Sequence, residues 1–554
     1  MDADWNEFLK VAHVLILDDS QMFRTATAGM LYKIGFRPEQ VHQAADAATA
    51  WRLCRSRTMD LILCDYNLGG GADGLSFFDQ LQSQGLLPAT TLFVIVTGDA
   101  NTSVFLSFAE HSPDDYLIKP INFAALRERV MKIHARKRLL GPIQQALNDQ
   151  RLDDAEHYLE QAIVGGPALA SSLDLLRARL LLARNQADAA YNLLTSSLLR
   201  SADDNIRLEL ARLMWQLGRG PQALGYLDAI ASRGPVQLQG LLLRATIQIA
   251  QRAFGAALDS LEQSLKLAGN NSSRHYQCGF LALIANKPGD ALDHFDSAAS
   301  GQQSAMHPDP QPLLQAIRLR LDQAQHADEK QINSLVMEIG LHIKDLRAQF
   351  SDSKEVEQLI RCRLRILAGN IGEAQQHLAS YLAACQGDDG HRPDLLEQID
   401  CAKCQFNLCR FDEAMATLQQ ARQLLPTGSG NSSDELLLAT HLGQITAQMS
   451  EARKRALEVR KRGIAALHSN NPITAVESLL QAIRLMPSDA DSAFQLFLAL
   501  GQAWPRGYSI NQTARLALRL QKVIQMSALA NDATYRQHSL VLASQLQMPE
   551  LAER

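Results

Sequence analysis

Short apolar runs alternate with amphipathic stretches over the first quarter of the chain. Val14-Leu15-Ile16-Leu17, Leu61-Ile62-Leu63-Cys64, Leu92-Phe93-Val94-Ile95-Val96 and Tyr116-Leu117-Ile118 are all short and rich in branched side chains. Runs of this length and kind predict strands buried on both faces of a parallel sheet. Val41–Ala44 is a weaker candidate for a further strand, second in chain order. Helical patterns occupy Gln21–Ile34, Ala45–Arg55, Leu75–Gln84 and Asn122–Arg138. Strands and helices in alternation predict an α/β doubly wound, five-stranded parallel sheet over residues 1–138.

Beyond residue 139 the strand signals stop, and Leu, Ala, Gln and Arg dominate. Ala155, Ala189, Ala223, Ala257 and Ala291 recur every 34 residues, each followed four positions later by Leu159, Leu193, Leu227, Leu261 or Phe295. Ala162, Ser196, Ile230, Ser264 and Ala298 come three further on, and small residues (Ala211, Ala245, Gly279) stand twelve positions before three of the alanines. A 34-residue helix-turn-helix period with small side chains at the contacts is the tetratricopeptide signature, so an all-α superhelix is expected. Residues 139–300 read as regular repeats. Residues 301–554 read as an irregular helical domain with insertions and a terminal cap. There Pro308, Pro310 and Pro312 mark a loop, and Leu313–Gln325, Lys330–Phe350 and Glu355–Ala368 look longer than a repeat allows. Gly387-Asp388-Asp389-Gly390 reads as an inserted loop, and a long helix is expected from Asp434 to His468. Gly141-Pro142 reads as a short, stiff joint between the last helix of the sheet domain and the first repeat.

Composition narrows the class. The chain has 554 residues, 46% of them hydrophobic, and a net charge of −5, so overall charge attracts neither nucleic acid nor acidic lipid. Eight Cys make no disulfide scaffold, Met1–Ser20 lacks a small-residue cleavage site, and Leu173–Ala183, the most apolar helix-like stretch, is broken by Arg177 and Arg179. A reduced, cytoplasmic protein is expected, with no membrane span and no nucleic-acid partner.

In open α/β sheets ligands bind at the carboxyl ends of the strands. Those ends carry Asp18-Asp19, Asp65, Thr97 and Lys119. Three converging carboxylates repel one another unless a cation joins them, and hard oxygen ligands with room for water favour Mg²⁺. A hydroxyl and an ammonium opposite them suit a phosphoryl group, whose charge spreads over three oxygens. The set describes a carboxylate that accepts a phosphoryl group beside a metal.

Val14-Leu15-Ile16-Leu17-Asp18-Asp19-Ser20, Leu63-Cys64-Asp65-Tyr66-Asn67, Val96-Thr97-Gly98 and Asp115-Tyr116-Leu117-Ile118-Lys119-Pro120 stand in the order and separation of a known family. Over residues 11–138 the chain resembles the receiver domain of two-component response regulators, a flavodoxin-like fold. The resemblance implies that Asp65 is the phosphoacceptor. It further implies that Asp19 binds Mg²⁺ directly, that Asp18 acts through water, and that the Asn67 carbonyl completes the protein ligands. Thr97 and Lys119 would contact the phosphoryl oxygens, Tyr116 would be the aromatic switch, and Lys119-Pro120 would carry a cis peptide. One departure stands out: Gly69-Gly70-Gly71 replaces the family's proline four positions after the phosphoacceptor, and the loop to Gly74 is one residue longer.

The layout of a receiver followed by tetratricopeptide repeats is similar to VieB-type regulators of sensor-kinase and cyclic-di-GMP circuits. The resemblance implies a sensor histidine kinase as donor, a protein partner in the groove of the repeats, and receiver pairing into a homodimer. An alternative is a phosphate sink, or an adaptor occluding a kinase. A hidden enzymatic effector is disfavoured, since residues 139–554 hold no Gly-rich phosphate loop, nucleophile elbow or His-Glu-x-x-His. Cys401 and Cys404 read as core residues of a repeat helix rather than a metal or redox site. The basic runs Arg127–Arg138 and Arg453–Arg462 read as solvated helix faces, the second also suiting an acidic partner segment.

Overall fold

The computed structural model describes residues 2–68, 74–98, 113–162, 169–231, 234–269, 271–302, 308–324, 329–350, 353–386, 390–426 and 432–552. The Gly69-Gly70-Gly71 departure, residues 387–389 and residues 99–112 between the fourth and fifth strands lie outside the described residues. The chain forms two compact units, residues 1–278 with 297–309, and residues 279–296 with 310–554.

The first unit opens with α1 (Asp2–Val11), β1 (Val14–Leu17), α2 (Gln21–Ile34), β2 (Val41–Ala44) and α3 (Ala47–Ser56). It continues with β3 (Leu61–Asp65), α4 (Gly74–Ser83), β4 (Leu92–Thr97), β5 (Asp115–Ile118) and α5 (Phe123–Asn148). The five strands pair in parallel in the order β2-β1-β3-β4-β5, as a doubly wound sheet requires. Their side chains point alternately to two cores. Val14, Ile16, Leu63, Val94 and Val96 pack with α1, α2 and α5, while Leu15, Leu17, Ile62, Phe93 and Ile95 pack with α3 and α4. Helix starts are fixed locally: the Ser20, Asp46 and Asn122 side chains accept from Phe23 N, Thr49 N and Ala125 N. Each caps an otherwise unpaired N–H of the first turn.

α1 was not anticipated. What holds it is tertiary: Phe8 packs on His134 with ring centroids 4.3 Å apart, Trp5 on the same imidazole at 5.4 Å, and Asp4 pairs with Arg138. The expected joint at Gly141-Pro142 is absent as well. α5 runs unbroken through Pro142 to Asn148, over 26 residues. A proline inside a helix loses one hydrogen bond and costs about 3 kcal/mol. Burial of Leu140, Ile143 and Ala146 offsets this, at roughly 1.5–3 kcal/mol for each large side chain. Gly141 allows the approach, since a Cβ there would lie 3.2 Å from the Ala89 carbonyl oxygen, and Gln145 accepts from Ala89 N at 2.8 Å.

α5 is also the first helix of the repeats. The turn after it has Gln150 in the left-handed region, with Gln150 N–H donating to Leu147 O and Arg151 N–H to Ala146 O. The same double closure recurs at Asn185, Gly218, Arg252, Asn286, Gly369, Cys409 and Asn470. It is the turn that ends a helix on an αL residue. Five positions after these turns come Ala155, Ala190, Ala223, Ala257, Ala291, Ala374, Ala414 and Ala475, all fully buried. One expectation is corrected here. In helix Ala187–Ser201 the buried set is Ala190, Leu194 and Ser197, and Ala189 is exposed, so the second repeat is displaced by one residue.

In the second unit Lys354–Leu367 pairs with Ile371–Ala384, Leu395–Asn407 with Phe411–Gln423, and Ser433–His468, at 36 residues, with Pro472–Leu485. Of the three helices expected to exceed repeat length, only Glu329–Gln349 does so, at 21 residues; Gln311–Gln323 has 13 and Lys354–Leu367 has 14. Ile510–Gln525 and Ala533–Leu546 close the chain against a core that includes Leu520, Leu542, Phe497 and Leu359. Cys401 and Cys404 belong to that core, and burial pushes the Cys401 thiol up to about 12. Part of each basic run is paired: Arg129 with Asp115, Lys137 with Asp114, Arg138 with Asp4, Arg453 with Asp412, and Arg460 with Asp489 and Asp491. Among the described residues no helix is long and apolar enough to cross a membrane.

Candidate functional site

The parallel register brings the C-terminal ends of β1, β3, β4 and β5 to one edge. Leu17 stands beside Cys64, Asp65 beside Val96 and Thr97 beside Ile118, so the residues at and just after these positions share one crevice. Asp18 follows β1 with 1% of its surface exposed, and its Oδ1 accepts from Ser20 N at 2.9 Å. Asp65 ends β3 at 6% exposure, and Asp19 is exposed. Carboxylate oxygens of Asp18, Asp19 and Asp65 lie within 4.8 Å of one another.

Lys119 closes the crevice from β5. Its Nζ stands 2.7 Å from Asp18 Oδ2 and 2.9 Å from Asp65 Oδ2, and 4.3 Å above the Phe23 ring. Its backbone N–H donates to Thr97 O at 2.7 Å, and the Lys119–Pro120 peptide is cis. Burial raises the Asp65 pKa, Lys119 opposes this, and the charges of Asp18 and Asp19 act in the same direction as burial. Burial alone would lower the Lys119 pKa, but hydrogen bonds and charges from Asp18 and Asp65 hold it above its ordinary value. Thr97 is buried at the end of β4. Tyr116 stands beside Ile95, half-buried on the core shared with α3 and α4.

The structure thus gathers Asp18, Asp19, Asp65 and Lys119 in direct proximity, places Thr97 one strand away, and puts Tyr116 on the face behind it. Asn67 lies two residues past Asp65. Three residues escaped the sequence reading. Arg24 donates through Nη1 to Asp18 O at 2.7 Å and Asp19 O at 3.0 Å, pinning the backbone of the acidic pair. Phe23 underlies Lys119. Gly74 is required by close approach, because a Cβ there would sit 2.4 Å from Asp65 O. An all-oxygen donor set, one member of it open to water, fits a hard divalent cation such as Mg²⁺.

A family model for the response regulator receiver domain matches residues 14–131. This part of the chain is a response regulator receiver domain. Chemotaxis protein CheY-3 of Vibrio cholerae is 26% identical to the receiver over 136 residues, spanning 24% of this chain and 99% of that protein. Sensor histidine kinase AruS of Pseudomonas aeruginosa is 28% identical over 264 residues, 46% of this chain and 24% of that protein. A receiver domain protein from Clostridium thermocellum aligns at 20% identity and a TM-score of 0.21, covering 24% of this chain and 99% of that one. A tetratricopeptide repeat protein from Parabacteroides merdae aligns at 14% identity and a TM-score of 0.26, covering 55% of this chain and 99% of that one.

Proposed function

We propose that the chain is a cytoplasmic response regulator in which residues 1–138 receive a phosphoryl group on Asp65 and residues 139–554 answer by binding a protein. The observation that carries the reading is Lys119 Nζ within 2.9 Å of both Asp18 and Asp65. This arrangement places a cation where phosphoryl oxygens would arrive. In the transfer, the P–N bond of a sensor kinase's phosphohistidine breaks and a P–O bond forms to a carboxylate oxygen of Asp65. Asp19, Asp65 and the Asn67 carbonyl, with Asp18 through water, would hold Mg²⁺, which would supply charge neutralisation for the phosphoryl oxygens. Lys119 exchanges its contact with Asp65 for one with the phosphoryl group while keeping Asp18. Thr97 follows through its hydroxyl, and Tyr116 turns inward on the core it already touches. Receiver pairing and the groove of the repeats are then the two surfaces free to respond, a local charge event biasing a two-state element. The resemblance of the layout to VieB-type regulators supports a partner among other two-component or cyclic-di-GMP proteins.

The test is phosphoryl incorporation by the full chain from a phosphorylated histidine kinase, with and without MgCl₂, in wild type and Asp65→Asn. Wild type should take up label in a magnesium-dependent way and Asp65→Asn none. Label retained by Asp65→Asn, or refused by wild type, overturns the proposal.

A further inference from the structure

A cavity of about 590 Å³ opens in the first unit, at the ends of β4 and β5 opposite to Thr97 and Lys119. One wall belongs to the receiver: Gln82 near the end of α4, Leu87 and Pro88 from the link to β4, and Phe93 where β4 begins. The other belongs to the repeats: Gln144, Leu147 and Asn148 on α5, and Leu176 and Arg179 on helix Ala170–Ala183. Two contacts hold the walls in place. Lys137 Nζ on α5 stands 2.6 Å from Asp114 Oδ1, and Asp114 Oδ2 accepts from Phe93 N at 2.9 Å. Ala89 N donates to Gln145 Oε1 at 2.8 Å. The volume falls within the range of about 300–1,000 Å³ that ligand clefts occupy.

The lining decides what kind of occupant fits. Its charged members are Lys137 and Arg179 against Asp114 and Asp149, so neither sign is in excess. Lys137 is paired with Asp114, Asp149 with Arg151, and Arg179 stands 3.8 Å from Glu209. An ion entering here would lose its hydration without finding a counter-charge. The groups left unengaged are neutral. Gln82, Gln144 and Asn148 make no side-chain hydrogen bond among the described residues. Each carboxamide presents N–H donors beside a carbonyl acceptor, the complement of the C=O and N–H of a main-chain peptide unit. Phe78, Leu87, Phe93, Leu147 and Leu176 supply the apolar part of the lining. Balanced charge, open carboxamides and apolar surface together suit an uncharged, extended peptide segment with a large apolar side chain.

We propose that the receiver and the first repeats jointly form a docking cleft for such a segment of a partner protein. Its apolar side chain lies against Leu87 and Leu176, one from each wall, and its main chain is held by Gln82, Gln144 and Asn148. The proposal rests on the reading of the chain as a partner-binding regulator and deepens it, because the receiver itself supplies one wall of the docking surface.

The experiment uses the full chain and follows, by NMR titration, the binding of acetyl-Ser-Leu-Ser-amide, of its counterpart with Glu in place of Leu, and of the Leu peptide N-methylated along its main chain. The Leu peptide should bind at least roughly tenfold tighter than the Glu peptide, whose charge must be desolvated. It should bind about threefold or more tighter than the N-methylated one, which has lost its main-chain donors. Gln82→Met on the receiver wall and Gln144→Met on the repeat wall should each weaken the Leu peptide about threefold. Should Gln144→Met not fold, Asn148→Leu takes its place. Weakening by variants of one wall alone overturns the joint cleft. Unchanged affinity in the variants of both walls, or no binding of the Leu peptide to wild type, removes the site and leaves the partner-binding reading standing, since a partner can dock elsewhere on the helices. Equal affinity for the Leu and Glu peptides overturns the uncharged occupant, and equal affinity for the N-methylated peptide overturns main-chain recognition. Sedimentation velocity run alongside covers the remaining occupant: a dimer that the Leu peptide converts to monomer would give the cleft to a second copy of this chain and overturn its assignment to a partner.

Discussion

At Asp65 burial and function oppose each other. The folded-state pKa is raised, so the protonated form is favoured below the unfolded value, and the ionised form needed for phosphoryl acceptance is penalised above the folded value. Asp65→Asn should therefore raise the melting temperature at pH 7.5 in the presence of a chelator. That gain should vanish as the pH falls below about 3.9, where both states of wild type carry the proton. A gain that does not change with pH would show that packing rather than charge is responsible. Asp18, Asp19, Asp65, Thr97 and Lys119 were legible in the sequence because strand ends are marked by where apolar runs stop. Gly74 and Arg24 were not, because each acts on a backbone atom brought to it only by folding. No spacing in the chain announces that a Cβ at residue 74 would meet the carbonyl of residue 65.

The helices of the repeats were legible in period but not in phase. Ala189-Ala190, Leu193-Leu194 and Ser196-Ser197 are doubled, so two registers fit the pattern equally well. What decides is Asn185, whose left-handed turn fixes the buried alanine five positions on, at Ala190. Ala190→Leu should cost about 1–3 kcal/mol by overpacking, whereas Ala189→Leu should fall within about 0.5 kcal/mol of wild type in chemical denaturation. Reversed effects would restore the strict 34-residue phase. The long helix offers a second pair. A Cβ at Gly463 would lie 2.6 Å from Leu479 Cγ, while one at Gly443 meets nothing within 4 Å. Gly443→Ala should stabilise by about 0.5–1 kcal/mol through helix propensity. Gly463→Ala should destabilise despite the same gain. α1 hid from the pattern because its hold is His134, whose pKa burial lowers, with Arg138 adding to the effect. A depressed imidazole pKa means the folded state loses stability as the pH falls below about 6.5. Hydrogen exchange of residues 2–11, corrected for intrinsic rate, should accelerate between pH 7 and pH 5 in wild type and not in His134→Phe.

For the molecule as a whole, the expected boundary near residue 138 is crossed by a single helix, because Gly141 and the buried Leu140, Ile143 and Ala146 outweigh the proline signal. Two glycines inserted after Arg138 should leave phosphoryl uptake unchanged and abolish any dependence of partner binding on it, measured by pull-down with both forms. Persistence of that dependence would mean the signal leaves the receiver by another face. The shared helix also sets a rule for recombination. Each residue added to or removed from it rotates everything downstream by about 100° and shifts it by about 1.5 Å. Chimaeras that graft a foreign receiver onto this array should accordingly work only when the splice preserves angular phase, with productive junctions returning at intervals of three or four residues and silent ones in between.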